Sequence, residues 1–113
     1  MFSAQRGSYI DPVNSGVEAD LVFSLYSDSL VIEVFPLMYL RTAVTHLTYQ
    51  HQEVLGGEQW VNLEIALRAA TINPAKQLGI DDIGEMLEVG GNADLVILKR
   101  NPREVDARNL DKL

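Results

Sequence analysis

The most continuous apolar stretch in the chain spans residues 21–26, where only Ser24 is polar. A run of this length between polar residues is typical of a β-strand that is buried on both faces of a sheet. The predicted strand ends at Ser27, Asp28 and Ser29, which places a carboxylate at the edge where α/β sheets and barrels bind ligands. The alternative is that Asp28 is an ordinary turn or helix-cap aspartate.

After this stretch the apolar positions recur with the spacing of a helix. Pro36 suits a first helical turn, where its missing N–H costs nothing. The predicted helix has one apolar face, formed by Leu37, Leu40, Ala43, Val44 and Leu47. Strand, loop and helix in this order are half of a βαβ unit, so we expect the helix to pack on a sheet.

Two further helical segments follow the break at Gly56 and Gly57. Asn62 is the predicted cap of the first, whose buried stripe consists of Leu63, Ala66, Leu67 and Ala70. Residues 71–79 are predicted to form either a kinked continuation or a separate turn, with Asn73 as the cap before Pro74 and Gly79 as its end. Trp60 is predicted to be a packing residue, with a role at an interface as the minor alternative.

The two ends of the chain have weaker patterns. Residues 1–14 lack a sustained period and are predicted to be an irregular lead-in, followed by a turn at Ser15 and Gly16. Near the other end, residues 86–89 and 93–98 are predicted to form a β-hairpin around Gly90 and Gly91. Residues 103–113 are predicted to be a charged tail whose apolar residues, Val105 and Leu110, could dock.

Composition excludes several classes of protein. A chain of 113 residues supports one core, and its formal charge of −7 without a basic cluster makes nucleic acid an improbable partner. The absence of cysteine removes disulfides, thiolate metal sites and a cysteine nucleophile. We found neither a signal-like leader nor an apolar run that could span a bilayer, so a soluble, cytoplasmic protein is expected.

The chemistry available to the chain centres on Asp28. A serine nucleophile would need a histidine base, and the only histidines are His46 and His51, which are interpreted as surface or boundary residues. The acidic residues between 81 and 88 lack the spacing of a calcium loop. Asp28 could ligate a divalent metal, but a metal needs three or more ligands and the sequence offers no partners for it.

Three stretches of the chain resemble the carboxy-terminal portion of the amidohydrolase superfamily, of the amidohydrolase family 3 type. They are SDSLVIEVFPLMYLRTAVTH, NLEIALRAATINPAKQLGI and IGEMLEVGGNADLVILKRNP, and the resemblance covers about residues 16–105. The first is similar to a family passage of the form SDxPV, a short loop, then PL and AVTR. The chain departs from the family pattern at Leu30, Phe35, His46 and Gly91, where proline, a polar residue, arginine and lysine are usual.

The resemblance implies a metal-dependent hydrolase of amide-like C–N bonds in small molecules, built as a TIM barrel with a small composite β-sandwich. It implies that Asp28 contacts the metal, with zinc favoured, and accepts a proton from the attacking water. The other metal ligands of the family have no counterpart here. A complete barrel takes roughly 250 residues, so the expected fold is an α/β, C-terminal slice of the barrel over residues 1–79, with sandwich strands and a tail over residues 80–113.

Two functional hypotheses follow. The first is a C-terminal fragment of a metal-dependent amidohydrolase that is inactive alone and binds no metal alone, with a missing N-terminal barrel as its partner. The second is a non-catalytic interaction protein that covers its open strand edges by homo-oligomerising or by completing a partner. A weaker third option is a small-ligand module with a pocket beside Asp28 and Tyr26. Self-association is expected, because a barrel slice exposes apolar faces.

Overall fold

The computed structural model describes residues 4–48, 52–80, 89–90 and 95–113, and in these ranges the regular structure is helical. The α-helices are α1 (Ala4–Gly7), α2 (Val13–Glu18), α3 (Pro36–Thr45), α4 (Leu63–Ala70) and α5 (Ile72–Leu78). Short 3₁₀ helices span Gly57–Gln59, Pro102–Glu104 and Ala107–Lys112. Within the described ranges, no helix has both the length and the apolar character needed to cross a membrane.

Helix α3 confirms the apolar pattern predicted after residue 36. It begins at Pro36 and ends at Thr45, and His46 closes it in the left-handed conformation with φ 49°. Leu40 and Ala43 are buried, while Leu37 and Val44 are half-buried against the same cluster. Leu47, which was assigned to the same face, is also buried although it follows the helix.

Helices α4 and α5 confirm the second helical region and show that it consists of two helices. The Asn62 side chain accepts a hydrogen bond from the Ile65 N–H at 3.0 Å, as expected of an N-cap. Thr71 lies between the helices with φ −126° and ψ −87°, and Gly79 ends α5 with φ 65°. Asn73 was predicted to cap α5. That prediction is wrong, because α5 begins at Ile72, so Asn73 lies inside its first turn and Thr71 occupies the N-cap position.

The core lies where α3 meets α4. Its buried cluster consists of Leu40, Ala43, Val61 and Ala66, and residues from α2 pack around it. The Val61 N–H donates to the Ala43 carbonyl at 3.0 Å, which fixes the chain before α4 against the end of α3. Trp60, by contrast, is 56% exposed, so its assignment as a packing residue is wrong.

The last residues of the chain pack on α3. The 3₁₀ helix Ala107–Lys112 lies along this helix, and Leu110 is only 1% exposed. The predicted docking of Leu110 is therefore confirmed, while Val105 is half-buried. The tail thus belongs to the same packed unit as the helices.

The strand predicted over residues 21–26 is not formed, which corrects the expected α/β fold. These residues have no regular hydrogen-bond pattern, and Leu21, Val22 and Tyr26 are 63%, 59% and 79% exposed. A strand requires a neighbouring strand, and the described ranges contain only isolated bridges, between Ser29 and Ile32 and between Leu47 and Val54. The described part of the chain is therefore helical, without a sheet.

Residues 21–26 instead run beside α4 and α5. The Leu25 N–H donates to the Ala69 carbonyl at 3.0 Å. The Phe23 carbonyl accepts a hydrogen bond from Asn73 Nδ2 at 2.9 Å, and the Val22 carbonyl accepts one from Gln77 Nε2 at 2.9 Å. A backbone carbonyl of α4 and two side chains of α5 thus satisfy backbone groups that a neighbouring strand would satisfy in a sheet.

The lead-in contains helices that its weak pattern did not indicate. Helix α2 occupies Val13–Glu18, so the turn predicted at Ser15 and Gly16 is wrong. Both the N–H and the hydroxyl of Ser15 donate to Gln59 Oε1 at 3.0 Å, which holds α2 against the 3₁₀ helix Gly57–Gln59. This distant partner cannot be recognised from the local sequence.

The predicted hairpin falls largely on residues 81–88 and 91–94, which lie outside the described residues. Val89 and Gly90 form a turn in which Gly90 has φ 97°, as the glycine turn requires. Residues 95–98 have no regular structure, and three of them, Leu95, Val96 and Ile97, are exposed. The division of the chain at residues 79 and 80 stays a prediction.

Candidate functional site

Asp28 lies on a tight turn that follows the irregular residues 21–27. Its backbone has φ 52°, and its carbonyl accepts a hydrogen bond from the Val31 N–H at 3.0 Å. Aspartate is one of the few residues that adopt this left-handed conformation readily. Leu30, in the same turn, has φ 89° and is fully exposed. Asp28 is exposed as well, so its carboxylate faces solvent at the end of this segment.

The donors in the described residues do not complete a metal site around Asp28. Across residues 4–48, 52–80, 89–90 and 95–113, no three His, Asp or Glu side chains come together in a way that could hold a metal ion. His51 and the acidic residues between 81 and 88 lie outside these ranges. Since zinc takes at least three protein ligands, this set does not fit the divalent metal that the resemblance implies. The role of Asp28 stays a prediction.

A cavity of about 470 Å³ lies between α2, residues 21–27 and α3. Most of its wall is apolar, with side chains that include Val13, Leu21, Phe23, Leu25, Leu47 and Leu55. Tyr26 and Ser27 also line it, whereas Asp28 does not. The pocket expected beside Tyr26 therefore exists, although the carboxylate of Asp28 is not part of its wall.

His46 is the buried titratable side chain of this cavity. It is 7% exposed, which corrects its interpretation as a surface or boundary residue. Its Nδ1 lies 2.9 Å from the Leu55 carbonyl oxygen, and its ring lines the cavity. The left-handed conformation of His46 at the end of α3 explains the difference, because a residue in that conformation leaves the helical register from which its position was predicted.

A second polar cluster surrounds Arg41, which is 5% exposed on α3. Its Nε lies 3.0 Å from the Arg108 carbonyl, to which it donates, and 3.6 Å from Asp111 Oδ1. One terminal nitrogen of the guanidinium also donates to Gln52 Oε1. Sequence reasoning missed this cluster, although Arg41 stands four residues after Leu37 and three before Val44, in the register of the apolar face.

Comparison with known proteins identifies the family of the chain. A sequence model described as the amidohydrolase family matches residues 1–113. No curated protein and no solved structure matches the chain. Because the family match covers the whole sequence, the chain belongs to the amidohydrolase family.

Proposed function

We propose that this member of the amidohydrolase family is the carboxy-terminal portion of a metal-dependent hydrolase that acts on amide-like C–N bonds of small molecules. We also propose that it is inactive by itself. The observation that carries the proposal is the setting of Asp28, an exposed residue at the end of residues 21–27 that belongs to no cluster of three or more metal-ligating side chains in the described ranges.

Asp28 stands where the family motif has its strand-end aspartate. In the complete enzyme it is the proposed metal ligand and the proposed proton acceptor. Because the described donors do not fit a metal on their own, no catalytic step is assigned to this chain alone. The remaining ligands would come from the missing barrel.

The setting of residues 21–27 supports a barrel origin. The backbone of this apolar run is hydrogen-bonded to α4 and α5, and several of its side chains remain exposed. In a barrel, strands of the remaining sheet would cover them. Residues 1–79 are the proposed barrel portion, and residues 80–113 the proposed sandwich strands and tail.

The first experiment measures zinc binding and amide hydrolysis by the purified full chain. We expect less than one zinc per chain, and hydrolysis of a p-nitroanilide and of a cyclic ureide no faster than with Asp28→Asn. Asp20→Asn is a matched control, since Asp20 is also exposed with φ 54°. One tightly bound zinc per chain that is lost only in Asp28→Asn would overturn the claim of inactivity.

A complementation experiment tests the claim that this chain is part of a hydrolase. The chain is co-expressed with an amidohydrolase barrel that lacks its last strand and the residues after it, and hydrolysis by the purified complex is measured. We expect activity with the wild-type chain and with Asp20→Asn, and its loss with Asp28→Asn. A stable complex whose activity is the same with Asp28→Asn would contradict the role proposed for Asp28.

A second candidate function is that of a non-catalytic interaction protein, and the exposed apolar residues support it. Residues 26–35 carry Tyr26, Leu30, Val31 and Val34, which are 79%, 103%, 75% and 64% exposed. Large contiguous apolar patches mark interaction sites. A cooperatively folded dimer in light scattering would favour this function, and a loosely packed monomer would favour the hydrolase fragment.

A further inference from the structure

We propose that the cavity between α2, residues 21–27 and α3 binds a small, mainly apolar molecule that carries one N–H or O–H donor and no negative charge. The inference goes beyond the proposed hydrolase function and does not depend on it, because Asp28 lies outside the cavity wall. Its volume of about 470 Å³ falls within the range of roughly 300–1,000 Å³ that is usual for small-molecule sites.

His46 supplies the polar group that such a molecule would bind. The Leu55 carbonyl can only accept a hydrogen bond, so the Nδ1 that lies 2.9 Å from it must carry the hydrogen. In the neutral imidazole, Nε2 is then an acceptor with a free lone pair. Among the described residues no group donates to Nε2, although the residue is only 7% exposed. Nε2 is not one of the fully buried, unpartnered side-chain atoms of the described residues, so this acceptor stays accessible to a donor from a ligand.

The rest of the wall limits what the molecule can be. Leu21, Phe23, Leu25 and Leu47 form apolar surface that favours an aromatic or aliphatic body. Asp11 is one of the lining residues, and the chain as a whole has a formal charge of −7, so an anion is disfavoured. Phenol has this chemistry, toluene lacks the donor, and benzoate carries the wrong charge.

The test is a titration of the full-length chain with each of these three compounds, followed by ¹H–¹⁵N correlation spectra. With phenol, we expect saturable shifts at residues of α3 and residues 21–27. Toluene should bind about tenfold more weakly, as expected from the loss of one hydrogen bond, and benzoate should not bind. The ¹⁵N resonance of His46 Nε2 should move with phenol and stay unchanged with toluene.

Two variants separate the site from its surroundings. His46→Asn retains a residue that tolerates the left-handed conformation but removes Nε2, and should weaken phenol binding about tenfold. Asp20→Asn is the matched control, since Asp20 is exposed and lies outside the cavity wall, and it should leave phenol binding unchanged. The proposal is overturned if toluene binds as tightly as phenol, or if His46 Nε2 does not respond to phenol. It is also overturned if a folded His46→Asn variant binds phenol as the wild type does.

Discussion

The Arg41 guanidinium joins α3 to the last residues of the chain through Asp111. Nε lies 3.6 Å from Asp111 Oδ1, and the two side chains are 6% and 20% exposed. Since Nε donates its hydrogen to the Arg108 carbonyl, Asp111 Oδ1 is a buried acceptor without a hydrogen bond in the described residues. The charge of Arg41 therefore compensates a carboxylate oxygen that the described residues leave without a hydrogen-bond donor.

Arg41→Met should destabilise the protein by about 3 kcal/mol, because removing one partner leaves a buried charge uncompensated. Urea unfolding followed by circular dichroism measures the change. Arg103→Met is the control, since Arg103 and Glu64 form an ion pair with 62% and 58% exposed side chains. Breaking that pair should cost less than about 1 kcal/mol. Equal losses in the two variants would contradict the structural role of Arg41.

Gly56→Ala should lower the thermal midpoint more than Gly79→Ala does. Both glycines are left-handed, with φ 63° and 65°, and alanine in this conformation costs about 1–2 kcal/mol. A Cβ at Gly56 would also lie 2.5 Å from the Ser8 carbonyl oxygen, whereas a Cβ at Gly79 would have no atom within 4 Å. Calorimetry measures the thermal midpoints of the two variants. A smaller decrease for Gly56→Ala than for Gly79→Ala would contradict the close approach of residue 56 to the Ser8 carbonyl oxygen.

Asn62→Ala should destabilise the protein by about 1 kcal/mol, because it removes the N-cap of α4. Asn62→Asp should retain most of the stability, since its carboxylate can accept the same hydrogen bond from Ile65 N–H. Asn14→Ala is the control, because it removes only an i,i+4 bond to Glu18 on the surface, for about 0.5 kcal/mol or less. The two variants are compared by their denaturant midpoints. A lower midpoint for Asn14→Ala than for Asn62→Ala would contradict the role of Asn62 as the N-cap of α4.

Self-association, if it uses residues 26–35, should weaken when their apolar side chains are replaced. The triple variant Leu30→Ser, Val31→Ser and Val34→Ser should raise the dimer dissociation constant at least about tenfold, because it removes three exposed apolar side chains of this segment. The control replaces three exposed apolar residues outside this segment, Leu78, Val89 and Val96. Sedimentation equilibrium measures both, and an equal effect of the control would place the interface elsewhere.

The parts of the fold that follow from local signals were predicted. Pro36 and the spacing of Leu37, Leu40 and Val44 identified α3, and Asn62 and Gly79 marked a helix start and a helix end. The hydrogen bonds of a helix join residues four apart, so the information for them lies within the segment. Helix α2 was missed, because its contacts with Gln59 involve a distant part of the chain.

The candidate site was less predictable than the helices. Asp28 was identified by its position after an apolar run and by resemblance, and its turn agrees with an ordinary turn aspartate as well. The cavity beside Tyr26 was considered on weaker grounds. His46 was placed wrongly, since its orientation depends on a left-handed residue and on the Leu55 carbonyl, and neither has a clear signature in the sequence.

Motifs and local patterns in the amino-acid sequence were enough to identify the family, the two main helical regions and the glycine that ends α5. Long-range packing, by contrast, sets the conformation of residues 21–26, the burial of His46 and the pairing of Arg41 with Asp111. The physical reason is the range of the interactions. Caps and helical periods act within a few residues, whereas a strand and a buried charge each need a partner from another segment. For residues 21–26 the described partners are α4 and α5, and the apolar run therefore lies on helices without forming a strand.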